Sequence, residues 1–139
     1  MIKPKKLNPG DTIAVVSPSS GVPYEYPHIF DYGLEILKNE FGFRIKEYPT
    51  ARMNPKTLYE NPRMRADDIN QAFRDPEVKG ILCSIGGDDA IRILRYLDIE
   101  AILSQPKLLM GYSDSTTFLA YLNLKGLVTY YGPSIMAGF

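Results

Sequence analysis

The stretch "VKGILCSIGGDDAIRILRYL" (residues 78–97) contains the pattern that decides the fold. Its first part, residues 78–85, is a short and almost continuous apolar run, which is typical of a strand buried on both faces of a sheet. Two glycines then allow a sharp turn, and residues 88–97 begin with two acids, which suit the positive end of a helix dipole. The stretch therefore predicts a strand, a turn and a helix in succession.

The same alternation of strand and helix runs outward through the rest of the chain. Further strands are predicted within 12–20, 43–49, 108–111 and 127–132, and helices at 27–42, 63–75, 99–103 and 114–126, with a long loop over 50–62. Alternating strands and helices are joined by right-handed crossovers, which make the strands parallel and cover both faces of the sheet. We therefore predict a three-layer α/β fold of flavodoxin or Rossmann type, with a mostly parallel sheet.

The predicted helix over 27–42 shows the packing that we expect against this sheet. Its apolar residues lie mostly on one side, and Gly42 provides a plausible stop. The side expected to be buried carries Ile29, Tyr32, Leu34, Ile36 and Leu37.

The composition favours one soluble domain without a nucleic-acid or membrane partner. The 139 residues include 16 basic and 16 acidic side chains, so no charge excess attracts an anionic partner. The basic start "MIKPKK" is not followed by an apolar segment long enough for a signal peptide or a membrane helix. The single cysteine, Cys83, fits a reducing compartment, and we predict a cytoplasmic protein.

Three loops are expected to meet at one edge of the sheet. We name them the serine loop (17–21, "SPSSG"), the glycine loop (84–90, "SIGGDDA") and the elbow loop (111–116, "GYSDST"). Each follows a predicted strand, and ligands of open parallel sheets bind at the carboxyl ends of the strands. This edge is therefore the predicted functional site.

The elbow loop resembles the Gly-x-Ser-x-Gly turn that exposes a nucleophilic serine between a strand and a helix. Here Ser113 would be the nucleophile, and Ser115 replaces the second glycine. The start of the helix at Asp114 would aim backbone N–H groups at a developing oxyanion beside Ser113. The competing interpretation is an ordinary helix cap, because serine and aspartate before a helix are more often N-caps than catalytic residues.

The glycine loop has two interpretations of its own. Gly86 and Gly87 let the backbone approach a bound group closely, and consecutive N–H groups there could hold an anion. The alternative is a turn capped by Asp88, and no established phosphate-loop motif is present.

The chain lacks an evident base for Ser113. His28 lies at the expected start of a helix, and Lys107 should lie at the opposite edge of the sheet. Asp67-Asp68 and Asp88-Asp89 are interpreted as first-turn and solvated acids, since no histidine or cysteine joins them as a metal ligand. We predict no metal and no cofactor, and we expect either a capping role for Ser113 or a base supplied by polypeptide outside this chain.

Four ordered segments resemble the N-terminal domain of the serine LD-carboxypeptidases, which include murein tetrapeptide carboxypeptidases and microcin C immunity peptidases. They are "NPGDTIAVVSPSS" (8–20), "RADDINQAFRDPEVKGILCSIGGDDAIRILRYLD" (65–98), "PKLLMGYSDSTTFLAYL" (106–122) and "GLVTYYGPSIM" (126–136). The resemblance implies a cytoplasmic, metal-independent serine peptidase with a Ser-Glu-His triad, usually a homodimer. Residues 1–139 would then be its N-terminal, nucleophile-bearing domain, with the Glu and His in an absent C-terminal domain.

Mapped onto this sequence, the resemblance implies roles for three loop residues, and their neighbours are candidates for contact with a substrate. The nucleophile is Ser113, and the oxyanion hole uses the N–H groups of Gly87 and Asp114. Candidate substrate contacts are Gly86, Asp88, Tyr112 and Ser115, although a packing role for Tyr112 is equally compatible with the sequence. Without its base, the isolated chain is expected to be inactive.

One departure from the family pattern bears on the substrate, which is expected to be a peptide. The tetrapeptide carboxypeptidases commonly have Gly-Gly-Tyr-Gly where residues 86–89 read Gly-Gly-Asp-Asp, which is more similar to the microcin-immunity branch. Both a murein LD-peptide and a microcin-like conjugate therefore stay open as substrates. Two other functions also stay open: a non-catalytic module that binds an anion, and a folded fragment without activity of its own.

Overall fold

The computed structural model describes all 139 residues and has a five-stranded, entirely parallel sheet with the strand order β2-β1-β3-β4-β5. The strands are β1 (Thr12–Val16), β2 (Arg44–Glu47), β3 (Val78–Cys83), β4 (Leu108–Gly111) and β5 (Tyr130–Tyr131). The α-helices are α1 (Val22–Glu25), α2 (Pro27–Asn39), α3 (Pro55–Glu60), α4 (Pro62–Arg74), α5 (Ile99–Ser104) and α6 (Thr116–Leu124), and 3₁₀ helices span Ala90–Tyr96 and Ser113–Ser115. This is the flavodoxin-like order, and the predicted α/β fold is confirmed.

The sheet separates two apolar cores. Along β1, Ala14 and Val16 face one core, while Ile13 and Val15 face the other, as alternation along a strand requires. The first core is closed by α4, the 3₁₀ helix Ala90–Tyr96, α5 and α6. The second is closed by α2 and by residues near the end of the chain. No helix is both long and apolar enough to span a bilayer.

The buried face of α2 differs from the predicted one. Ile29 and Tyr32 are 41% and 65% exposed, whereas Phe30 and Gly33 are buried beside Leu34 and Leu37. Gly33 faces inward because the chain returns there: a Cβ on Gly33 would lie 2.2 Å from the carbonyl oxygen of Ile135. Since only a glycine fits this contact, a close backbone approach determines the buried face.

Other boundaries also differ from the prediction. The expected loop over 50–62 contains α3, which Asn54 caps through its side chain. The segment expected to be an α-helix at 88–97 is a 3₁₀ helix, and the last strand is shorter than 127–132. These changes leave the strand order intact and do not move the three named loops from the carboxyl edge.

The residues after β5 pass along the carboxyl end of β3. The backbone N–H groups of Ile135 and Met136 donate to the carbonyl oxygens of Cys83 and Ser84, at 3.1 Å each. Residues near the end of the sequence therefore form part of the second core, next to the end of β3 from which the glycine loop leaves.

Candidate active site

The strand order explains why the three loops meet. From β1 the chain crosses to β2 on one side and then returns to β3 on the other, so the strand order reverses between β1 and β3. Ligands of open α/β sheets bind at the carboxyl ends of the strands at such a reversal. The serine loop and the glycine loop leave these two strands, and the elbow loop leaves the neighbouring β4. Backbone and side-chain contacts join all three loops.

Ser113 occupies a strained turn with its side chain exposed. Its φ angle is +53°, and it is the only residue other than glycine with a positive φ. A left-handed conformation is unfavourable for residues with a Cβ, and such strain is concentrated at functional sites. The Ser113 hydroxyl forms no hydrogen bond within the protein and no cap to the helix, so the helix-cap interpretation finds no support in the geometry.

Close packing below Ser113 keeps the turn tight. A Cβ on Gly111 would lie 2.9 Å from Ser115 Cβ and 3.0 Å from Cys83 Sγ, so this position requires glycine. Ser115 is fully buried against it, which explains why a small residue suffices where the motif has its second glycine. Burial raises the pKa of the Cys83 thiol to about 12, and this cysteine therefore supplies no thiolate at neutral pH.

Replacing Ser113 with glycine should stabilise the protein while removing its hydroxyl. Glycine adopts a positive φ without a steric penalty, so relief of strain should outweigh the added flexibility of the unfolded chain. We expect the free energy of unfolding to rise by roughly 1 kcal/mol in urea titrations. Ser104→Gly, at an exposed serine in α5, should instead lower it, and a loss of stability in Ser113→Gly would contradict the strain argument.

The glycine loop lies directly against the elbow. A Cβ on Gly86 would be 3.1 Å from Ser113 Cβ and 3.4 Å from the Asp114 nitrogen. The Gly86 carbonyl accepts hydrogen bonds from the backbone N–H of Ser20 at 3.3 Å and from its hydroxyl at 2.6 Å. Because the peptide bond is trans, the N–H of Gly87 points away from Ser20, and it donates to no acceptor in the protein.

The Asp114 carboxylate joins the three loops. One of its oxygens accepts hydrogen bonds from the Ser19 hydroxyl and, at 2.9 Å, from the backbone N–H of Ala90. Ser19 also packs against Gly87, where a Cβ would lie 2.2 Å from the serine hydroxyl oxygen. The residue beside the predicted nucleophile therefore links the elbow to both neighbouring loops.

A buried arginine holds the serine loop and the glycine loop together from below. Arg65 of α4 is 0% exposed and forms a two-pronged ion pair with Asp89, with N–O distances of 2.8 and 3.0 Å. The same guanidinium donates to the carbonyl oxygens of Pro18 and Ser19 at 3.1 and 3.4 Å. Asp89 also accepts from Arg92 at 3.0 Å.

Two of the acids interpreted as solvated are in fact structural. Asp89 pairs with Arg65, and Asp68 is buried and accepts from the Thr50 backbone N–H and hydroxyl at 2.8 and 2.6 Å. Burial raises the pKa of Asp68, and these hydrogen bonds oppose that shift. The interpretation holds for Asp67 and Asp88, which are exposed and form no ion pair.

The remaining predicted residues lie at varied depths. Tyr112 is half-buried in extended conformation just before the turn, and Ser115 is beneath the surface, where a ligand above Ser113 does not reach it. His28 is exposed in α2, with its ring edge against Tyr26, and forms no hydrogen bond or ion pair. Lys107 precedes β4 at the opposite edge, as predicted. No histidine or lysine is hydrogen-bonded to Ser113.

Sequence reasoning missed the residues that support the site, namely Ser19, Ser20, Arg65 and Asp89. One signal was available for Arg65, which occupies the same helix face as Ile69 and Ala72 at spacings of four and seven residues. A charged residue on a buried face requires a buried partner. The sequence did not identify that partner.

The chain matches known proteins along nearly all of its length. Residues 13–132 match the family model described as the LD-carboxypeptidase N-terminal domain. The chain is 36% identical to a putative carboxypeptidase of Vibrio cholerae, 34% identical to the microcin C7 self-immunity protein MccF of Escherichia coli and 37% identical to a probable murein peptide carboxypeptidase of Bacillus subtilis. These alignments cover 100%, 94% and 96% of this chain but only 42%, 38% and 41% of the relatives, so the chain spans about two-fifths of their length.

Comparison with solved structures also finds proteins of this kind, again over about two-fifths of their length. The fold superposes on MccF, in the apo state of an inactive mutant, with a TM-score of 0.90 at 32% identity, covering 96% of this chain and 40% of MccF. An MccF-like protein from Bacillus anthracis superposes with a TM-score of 0.88 at 34% identity, covering 98% of this chain and 41% of that protein. The chain therefore belongs to the LD-carboxypeptidase family and corresponds to its N-terminal domain.

Proposed function

We propose that this chain is the nucleophile-bearing part of a serine carboxypeptidase that hydrolyses an amide bond through an acyl-enzyme on Ser113. The observation that carries the proposal is the exposed, left-handed Ser113 at the carboxyl edge of the sheet, against Gly86 and the Asp114 nitrogen. A serine that only caps a helix does not need a strained backbone. A nucleophilic serine exposed between a strand and a helix, by contrast, lies on a strained turn. The hydroxyl oxygen attacks the substrate carbonyl, a base takes its proton, and the protonated amine leaves before water releases the acid.

The oxyanion of the tetrahedral intermediate would be held by the backbone N–H groups of Gly87 and Asp114. The Gly87 N–H has no acceptor in the protein, and the two hydrogen bonds from Ser20 fix the orientation of its peptide plane. The backbone nitrogen of Asp114 and the side chain of Ser113 both lie next to the position that a Cβ on Gly86 would occupy. Preorganised donors of this kind stabilise developing charge because they need no reorientation during the reaction.

The general base would come from a second domain, because no base of this chain contacts Ser113. The family resemblance assigns it to a histidine oriented by a glutamate, and the missing three-fifths of the relatives' length leaves room for such a domain. Residues 1–139 alone should therefore be inactive. We also propose that the whole protein is a cytoplasmic homodimer, in keeping with the family.

The substrate proposed is a peptide or peptide-like conjugate, either a murein LD-peptide or a microcin-like compound. MccF has been solved in complex with aspartyl sulfamoyl adenosine, and an MccF-like protein of Streptococcus pneumoniae in complex with AMP. At the rim of the site, Asp88 is exposed and Tyr112 is half-buried, so both are available to contact such a substrate beside Gly86. The acidic Asp88 is the feature of this chain that favours the microcin-like alternative.

Covalent labelling tests the nucleophile directly. The full-length protein that carries this chain is treated with a fluorophosphonate, and the adduct is located by peptide mass mapping. We expect one adduct on Ser113, none in Ser113→Ala, and unchanged labelling in Ser104→Ala, whose exposed hydroxyl donates only to Ala101. A folded wild-type protein without an adduct on Ser113 would overturn the proposal, and saturable anion binding in that case would identify a binding module.

A further inference from the structure

A cavity lies at the amino edge of the sheet, on the opposite side from Ser113. Its volume is about 570 Å³, and it lies near the starts of β1, β3 and β4. Five lysines line it, together with a single carboxylate, Asp11; the lysines are Lys3, Lys5, Lys6, Lys79 and Lys107. In a chain whose net charge is zero, this is a strong local excess of positive charge.

Most of the positive charge of this cavity is not neutralised by ion pairs within the protein. None of the five lysines forms an ion pair, although seven other basic residues do. Asp11 accepts a hydrogen bond from the Asn8 N–H at 2.8 Å, and its single negative charge leaves most of the positive charge of the lining without a counter-charge. Like charges held close together repel, and an anion between them would relieve that repulsion.

The backbone that carries three of these lysines is anchored at both ends. The N–H of Ile2 donates to the Gly126 carbonyl at 2.6 Å, and the N–H of Val128 donates to the Ile2 carbonyl at 2.8 Å. At the other end, the Leu7 side chain lies 3.0 Å from where a Cβ on Gly80 would be, in β3. Lys3, Lys5 and Lys6 are therefore presented by a fixed segment, and holding them near a ligand costs little backbone entropy.

The helix that ends at this edge does not cancel the positive charge. A helix C-terminus repels anions through its free carbonyl groups. At the end of α4, Lys107 donates to the carbonyl oxygens of Ala72, at 2.9 Å, and of Asp75. The ammonium group therefore satisfies these two carbonyls, and burial lowers the pKa of Lys107 to about 8, so most of its charge is retained at neutral pH.

We propose that this cavity binds a small anion with several phosphate charges. The five unpaired ammonium groups and the volume suit a polyphosphate chain, either free or as part of a nucleotide. A single carboxylate would neutralise only one of the lysines, which is why the observations favour a multiply charged ligand. The proposal is independent of catalysis, because the cavity lies at the edge of the sheet opposite to Ser113.

Titration calorimetry of the full-length protein with inorganic tripolyphosphate tests the proposal. We expect one site that Lys5→Gln/Lys6→Gln/Lys79→Gln weakens by about tenfold or more, a loss near 1.4 kcal/mol. The control, Lys38→Gln/Lys56→Gln, removes lysines that pair with Glu35 and Glu60 on helices and should change the affinity less than twofold. No binding by the wild type, or equal weakening in the control, would overturn the proposal.

Two further measurements, of melting temperature and of nucleotide affinity, distinguish a specific site from a salt effect and identify the ligand. Tripolyphosphate should raise the melting temperature of the wild type more than sodium sulfate of equal ionic strength, and equal shifts would overturn a specific site. Adenosine triphosphate that binds more tightly than tripolyphosphate would identify a nucleotide, and equal affinity would identify the phosphate chain alone as the recognised group.

Discussion

Replacing Ser113 with alanine in the full-length protein should lower kcat for hydrolysis of an LD-linked peptide by about 10⁴-fold or more. In the proposed mechanism the acyl-enzyme forms on the Ser113 hydroxyl, and the buried thiol of Cys83 and the buried hydroxyl of Ser115 are not placed to replace it. The oxyanion donors belong to the backbone and persist in the variant, so some residual rate above that in water is expected. The measurement is steady-state release of the terminal amino acid.

The controls for this experiment separate chemistry from folding. Ser104→Ala should retain the wild-type rate, and Ser113→Gly should be as inactive as Ser113→Ala although it is more stable. A variant that gains stability and loses activity is expected where strain serves catalysis. Equal rates for the wild type and Ser113→Ala would remove Ser113 from the mechanism.

Replacing Asp89 with alanine should lower the free energy of unfolding by about 3–5 kcal/mol. The change leaves the guanidinium of Arg65, which is fully buried, without its counter-ion. A buried unpaired charge is among the costliest defects in a folded protein, and the loss is a large part of typical domain stability. Urea unfolding of residues 1–139, followed by circular dichroism, measures it.

The neighbouring residue provides a matched control. Asp88 is exposed and unpaired, so Asp88→Ala should change the stability by less than about 0.5 kcal/mol. Arg65→Met/Asp89→Ala removes both charges and should be more stable than Asp89→Ala alone, because no isolated ion is left behind. A loss below about 1 kcal/mol for Asp89→Ala would show that water reaches the guanidinium after all.

The parts of the fold that the sequence predicted are those determined by local pattern. Buried parallel strands are continuous apolar runs, so β1 and β3 were located closely, and the alternation of elements predicted the parallel sheet. The face of α2 was predicted wrongly because its apolar residues are compatible with two orientations. The choice depends on the contact of Gly33 with Ile135, which no local pattern contains.

The candidate site also contains a part that local sequence patterns predict and a part that depends on contacts distant in sequence. The elbow loop and the glycine loop were recognised because glycine, serine and aspartate at fixed spacings act through the backbone, whose geometry is local. Ser19, Arg65 and Asp89 act through side chains that meet partners far away in sequence, such as Ser19 with Asp114. Their roles became clear only once the loops were placed side by side.

The return of the chain onto α2 has a consequence for the order of events during biosynthesis. Gly33 packs against Ile135, and the Ile135 N–H donates a hydrogen bond to the Cys83 carbonyl. Both α2 and the end of β3 therefore contact a residue that is synthesised much later than they are. Contacts between distant parts of a sequence slow folding, and until then the part of the second core that Ile135 fills beside Gly33 stays uncovered. Nascent chains arrested before residue 135 has left the ribosomal exit tunnel should consequently recruit chaperones more strongly than those arrested after it has emerged.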